Sequence, residues 1–269
     1  MRLIHFIRLS ILLLVLLTSP LEGQQATASF QFLNTEDGLS QNHVFHIMQD
    51  TDGFIWFSTM GGLSRYDGFT FNNYYHKEGD STTLSSSYIN AFYQDRSGRC
   101  WVVTQSGFNY WDRHTGKAHR YYHDGKNSNS LGHNLTRAII EDKEGFLWIA
   151  HQKGLDRFDP STNQFRHYFN DQYGVARHSG ALAISRSGEV WAVGVNGLFK
   201  IDNRLDSLLF VKQLPASLST PPHEGRDLLI DHEDRIWMSY KNGFVQYFPQ
   251  TNTYEVFNTG PFSRGVVKI

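Results

Sequence analysis

His43 and His46 stand three residues apart, and His119 and His123 four apart, among thirteen histidines in a chain of 269 residues. Close imidazole pairs are a common start to a zinc or transition-metal site, which needs further ligands on a shared face. His43 and His46 fall in an apolar run of strand type, where residues three apart point to opposite faces. His119 and His123 can share a face, but no cysteine or carboxylate stands beside them at ligand spacing. No metal and no cofactor are therefore expected. Nucleophilic and phosphoryl chemistry find no support either: there is no GxSxG elbow, no phosphate-cradling glycine loop and no paired-carboxylate signature. The single cysteine, Cys100, precedes Trp101 where other copies of the same motif place Ile or Leu, and reads as a buried structural thiol. The regular acidic groups (Asp52, Asp67, Asp112, Asp142 and Asp159) recur with turns, copy after copy. A group present in every copy of a repeat serves architecture, so no catalytic residue is assigned.

The elements that carry these residues repeat. Trp56, Trp101, Trp148, Trp191 and Trp237 follow one another at steps of 45, 47, 43 and 46 residues. A period in the low-to-mid forties, built from short apolar runs and glycine turns, predicts β-propeller blades. Each copy reads as a four-stranded antiparallel meander. Strand A is an apolar run such as Val44–Met48. An Asp-x-x-Gly turn follows, with Gly53, Gly98, Gly145 and Gly188 supplying positive φ and Asp capping turn amides. Strand B carries the Trp. A tight turn then leads to strand C at Gly62, Gly107, Gly154, Gly197 or Gly243, and strand D is aromatic. The fifth copy has Asp234 where the turn glycine belongs. Strand B is apolar on both faces, as a sheet sandwiched between two neighbours requires.

Bulk composition agrees with this all-β reading. The chain is 40% hydrophobic and 14% aromatic, an ordered composition rich in strand formers. Its formal net charge of −1 offers no general attraction to nucleic acid or an anionic membrane. Residues 1–23 read as a cleaved secretory signal: Arg2 and Arg8 form a basic start, and Leu9–Leu17 is an apolar run broken by Thr18-Ser19-Pro20. A bilayer span takes about 20 apolar residues, more than this run provides. A periplasmic location follows from that reading.

The propeller is expected to occupy 24–269, with blades at roughly 40–75, 85–122, 133–169, 180–212 and 226–257 and a further blade starting at 265. Phe30–Thr35 matches Tyr254–Thr259, so the chain is expected to begin with an orphan outer strand. It would end in strand A of a sixth blade, at Gly265–Ile269. Such a ring does not close and leaves strand edges bare. The expectation is an N-terminal piece of a larger, seven-bladed propeller.

At this point the residues resemble a family. Asp37-Gly38-Leu39-Ser40, the Asp50–Trp56 turn, Gly62–Asp67 and Gly154–Asp159 are similar to the two-component regulator propeller repeat. The resemblance implies the periplasmic sensor region of a Bacteroidota hybrid two-component protein. It further implies a parent anchored in the inner membrane, forming a homodimer, with missing blades, a transmembrane helix and cytoplasmic kinase domains outside this chain. Family members respond to glycan fragments, so an oligosaccharide ligand is implied.

Strand order puts the B–C and D–A loops on one face, opposite the Asp-x-x-Gly turns. Gln105, His151, Lys153, Asn196 and Lys241 fall in the B–C loops, and Arg177 and Arg226 in the D–A loops. These positions differ between copies, and their amide, imidazole and cationic side chains suit a hydroxylated or anionic sugar. The expected function is recognition without catalysis. The rivals are a propeller enzyme acting on polysaccharide as a lyase or glycosidase, and a truncated remnant without function. No nucleic-acid partner is expected.

Overall fold

The computed structural model describes residues 31–169, 180–194, 197–202, 206–213, 227–240 and 243–258. The chain divides after Phe32, and every strand lies in the unit from Leu33 onward. The first blade comprises β1 (Val44–Gln49), β2 (Ile55–Thr59), β3 (Leu63–Tyr66) and β4 (Phe71–Tyr74). The second comprises β5 (Ile89–Gln94), β6 (Cys100–Thr104), β7 (Gly107–Asp112) and β8 (Lys117–Tyr121). The third comprises β9 (Thr136–Glu141), β10 (Leu147–His151), β11 (Gly154–Asp159) and β12 (Gln164–Phe169). The fourth comprises β13 (Ala181–Ile184), β14 (Val190–Gly194), β15 (Gly197–Asp202) and β16 (Ser207–Gln213). The fifth comprises β17 (Asp227–Ile230), β18 (Ile236–Tyr240), β19 (Gly243–Phe248) and β20 (Thr253–Asn258). Each blade is an antiparallel meander paired in chain order, so the fold is the expected all-β propeller with five complete blades.

First strands of successive blades touch: β1 meets β5, β5 meets β9, β9 meets β13 and β13 meets β17. That places strand A innermost. The apolar cores lie between blades. Trp56 and Leu63 pack with Phe92, Val102 and Trp111 of the next blade. Trp101 and Phe108 pack with Leu147, Ile149 and Phe158. Trp148 and Leu155 meet Val190, Ala192 and Phe199, and Trp191 and Leu198 meet Leu228, Met238 and Tyr247. Each of the first four tryptophans thus mortises its blade to the following one, as its stack on Phe92 at 4.3 Å shows for Trp56. Cys100 is part of this buried layer, and burial pushes its thiol pKa up to about 12.

In four of the five blades an aspartate precedes the turn and does more than cap it. Asp50 Oδ1 accepts from the backbone N–H of Asp52 and Phe54, while Oδ2 accepts from the Trp56 indole N–H at 2.8 Å. Asp95, Asp142 and Asp231 do the same for Trp101, Trp148 and Trp237. One carboxylate therefore fixes the turn and orients the core tryptophan six residues on, which explains why the two recur together. The turn glycines take φ of 85–92°, and Asp234, in their place, takes 57°, a left-handed angle that Asp tolerates.

The outer strand expected over Phe30–Thr35 has its partner strands expected outside this chain, and its described part is unpaired. Residues 31–34 pair with no strand, and Thr35–Asp37 is a 3₁₀ turn. Asn34 Oδ1 accepts from Glu36 N–H and Asp37 Oδ2 from Asn34 N–H, a reciprocal cap that ends extended backbone there. The expected sixth-blade strand at 265 and the signal segment lie outside the described residues. Among the described residues no helix is long and apolar enough to cross a membrane.

Candidate functional site

The B–C turns and the approaches to strand A share one face of the blades. Met60 N–H donates to His43 O, Gln105 N–H to Tyr88 O and Gln152 N–H to Leu135 O, each at 3.1 Å. Below this surface, every one of the first three blades anchors the loop entering it through the residue two beyond the glycine that leads into strand C. Ser40 N–H donates to Ser64 Oγ at 3.1 Å, Ser85 N–H to Asn109 Oδ1 at 2.9 Å and Gly132 N–H to Asp156 Oδ2 at 2.6 Å. In the first two blades a hydroxyl pair completes the anchor: Ser40 with Thr59, and Ser85 with Thr104.

The third blade replaces that hydroxyl pair with titratable groups. Serine becomes Gly132, threonine becomes His151, and the strand C residue becomes Asp156. His151 Nε2 lies 3.0 Å and His167 Nδ1 2.6 Å from Asp156 Oδ1. Burial alone would raise the Asp156 pKa, but hydrogen bonds from His151, His167 and Gly132 N–H outweigh it and hold the carboxyl below its ordinary value. The same hydrogen bond, together with the negative charge of Asp156, raises the His167 pKa. Burial, followed by the nearby His151 and Lys153, lowers that of His133, whose ring stacks 6.5 Å from His151.

The inner rim of this face carries three β-bulges. Register slips at Val44/His46, Ile89/Ala91 and Ala150/His151, leaving Phe45, Asn90 and Arg137 unpaired in the ladder. A bulge re-aims the side chain of the extra residue. Asn90 Nδ2 donates across to Thr136 O of the next blade at 2.6 Å. Phe45 lies between two rings, with centroids 4.6 Å from His43 and 4.9 Å from Tyr88, which makes a row of partly exposed aromatic faces.

Of the sequence-derived site residues, Gln105 and Lys153 are exposed on the B–C turns of neighbouring blades. His151 is not a loop residue. It ends β10, is fully buried and is engaged with Asp156, so it supports the face from beneath. Arg177, Asn196, Arg226 and Lys241 lie outside the described residues. Sequence reasoning missed Phe45, Asn90 and Arg137, because a bulge leaves the apolar pattern of strand A unbroken. It also missed Asp156, whose counterparts Ser64 and Asn109 share polarity but not type. Among the described residues, no three His, Cys, Asp or Glu side chains gather so as to hold a metal ion.

Comparison with known proteins agrees with this architecture. The family described as two component regulator propeller matches residues 38–61 and 83–106. Histidine kinase P4 of Formosa agariphila is 38% identical over 76 residues, 28% of this chain and 6% of that protein. The extracellular domain of the hybrid two component system BT3049 from B. thetaiotaomicron superposes with a TM-score of 0.72 at 26% identity, covering 84% of this chain and 31% of that one. The extracellular domain of the hybrid two component system BT4673 from the same organism gives a TM-score of 0.70 at 22% identity, over 88% of this chain and 34% of the other. The chain thus spans about a third of the solved structures it resembles and a small part of the curated kinase.

Proposed function

Because the chain carries two-component regulator propeller repeats, we propose that it is the sensing propeller of a hybrid two-component signalling protein. On this reading it lies outside the cytoplasm after removal of residues 1–23 and binds a glycan-derived ligand on its B–C/D–A face without chemistry of its own. The observation that carries the reading is the asymmetry between the two faces. The Asp–Trp turns repeat almost unchanged, whereas the opposite face changes from blade to blade: it exposes the hydrogen-bonding side chains of Gln105 and Lys153 and carries the ring row His43–Phe45–Tyr88. Ring faces and planar amides are the groups that receive the C–H faces and hydroxyls of a sugar. Arg177, Asn196, Arg226 and Lys241 are proposed as further contacts on the same face. The parent protein is proposed to be a membrane-anchored homodimer that relays occupancy to a kinase. The test is an in-frame deletion of this propeller from the full-length parent, with expression of its target genes read against a panel of oligosaccharides. Loss of induction by one saccharide class is expected, and induction unchanged by the deletion overturns the proposal.

A further inference from the structure

The fourth blade breaks the Asp–Trp rule on the turn face, away from the proposed sensing surface. Position 185 is serine where Asp50, Asp95, Asp142 and Asp231 stand in the other blades. The turn itself is kept: Ser185 N–H donates to Glu189 O and Gly188 N–H to Ser185 O, both at 2.9 Å. Serine has a single side-chain oxygen, and it is occupied by Glu189 N–H at 3.0 Å and by the Ser187 hydroxyl at 2.7 Å. Ser185 makes these two contacts and none to the Trp191 indole. Trp191 is 3% exposed, and among the described residues its N–H makes no hydrogen bond of the kind the other four tryptophans make.

A cavity of about 200 Å³ opens at that place, between the fourth and fifth blades. It is lined by Ser185, Glu189 and Trp191 on one side and by Asp234, Ile236 and Gln250 on the other. At roughly 30 Å³ per water in the liquid, the space matches some six waters or one compact organic molecule. The lining restricts the occupant. An acceptor on it suits the indole of Trp191, which lines the cavity, and a simple cation offers none. It also lies against the carboxylate of Asp234 and the Glu189 carboxylate, which is already paired with Lys200, so the lining offers an anion no free cation. Glu189 is paired with Lys200 at 2.8 Å, and the Lys200 ammonium sits 5.4 Å above the Trp191 ring, so the wall is held in place. A hydroxyl both accepts and donates, and satisfies both demands at once.

We propose that this cavity is a second binding site, for a small neutral polyhydroxylated molecule, with one hydroxyl standing where the missing aspartate carboxylate would be. The proposal does not depend on the sensing reading, since it concerns the opposite face. The test is nitrogen-15 NMR of the indole N–H signals in the full chain, with the Trp191 signal assigned as the one lost in Trp191→Phe. The probes are glycerol, D-glucose and, as an anionic control, acetate. A saturable shift of the Trp191 signal with glycerol or glucose is expected, with the other indole signals unmoved. In Ser185→Asp, which restores the internal partner, that signal should move toward the other four without any probe, and polyol affinity should fall about tenfold or more. If the added charge prevents folding, Ser187→Leu at the cavity mouth serves instead and should also weaken binding. No saturable shift with either polyol, an equal shift in the filled variant, or a response to acetate alone overturns the proposal.

Discussion

The two ends of each blade treat their buried polar groups in opposite ways. At the turn end, four of five blades use the same carboxylate for the same two tasks, capping the turn and holding the tryptophan. At the loop end the anchoring residue is Ser64, then Asn109, then Asp156, and then the apolar Phe199 and Val245. The difference separates what every blade needs to pack from what each blade is free to change. The exceptions on each side, Ser185 at the turn end and the Gly132–His151–Asp156 set at the loop end, are where a role beyond packing should be sought.

The largest effect should come from breaking the turn end. Asp142→Ala removes the acceptor of the Trp148 indole, of Glu144 and Phe146 N–H, and the partner of Arg157. A loss of about 3 kcal/mol is expected in urea unfolding, since buried donors are left unsatisfied. A loss as small as that of a surface change would erase the contrast between the two ends.

Next comes His151→Thr, which leaves the buried Asp156 with fewer partners and should cost about 2–3 kcal/mol. Adding Gly132→Ser and Asp156→Asn rebuilds the hydroxyl anchor of the second blade, and the triple variant should recover to within about 1 kcal/mol of the parent. Strong non-additivity is the signature of one shared network; simple additivity would show three independent sites.

A smaller, pH-dependent effect belongs to His167. Its pKa is raised in the fold by Asp156, so its contribution is full below its ordinary value of 6.5 and fades as pH rises through the raised folded value. The stability gap between the parent and His167→Gln should therefore be wider at acid than at alkaline pH. Asp156 works in the other sense: its pKa lies below the ordinary 3.8, so its contribution is present above that value and lost as pH falls through the depressed one. A gap independent of pH, in thermal melts across the range, would deny the ion pair its role.

The smallest stability effect is expected at the exposed loop positions. Gln105→Ala and Lys153→Ala should each change stability by less than about 0.5 kcal/mol, as surface substitutions do. Their effect should fall on ligand binding instead.

The blade repeat was legible because a propeller writes its period in large residues: tryptophans, turn glycines and capping aspartates recur at one spacing. The second oxygen of each aspartate was not legible, because the Asp-to-Trp hydrogen bond spans a turn whose closure only the fold reveals. His151 occupies the place of Thr59 and Thr104, yet read as a loop residue, since a polar residue next to a glycine turn looks solvated until its buried partner is known. The segment at 31–35 matched a strand by residue type, but the side chains of Asn34 and Asp37 cap a turn there. The bulges at Phe45, Asn90 and Arg137 leave no mark in an apolar run.

The most direct measurement is calorimetric titration of an oligosaccharide panel into the chain and into its Phe45→Ala/Gln105→Ala variant, with both checked for equal melting temperature. The expected result is saturable heat from one saccharide class with the parent and none with the variant. No heat from any saccharide, or equal heat from both proteins, would contradict a sensing role for the loop face.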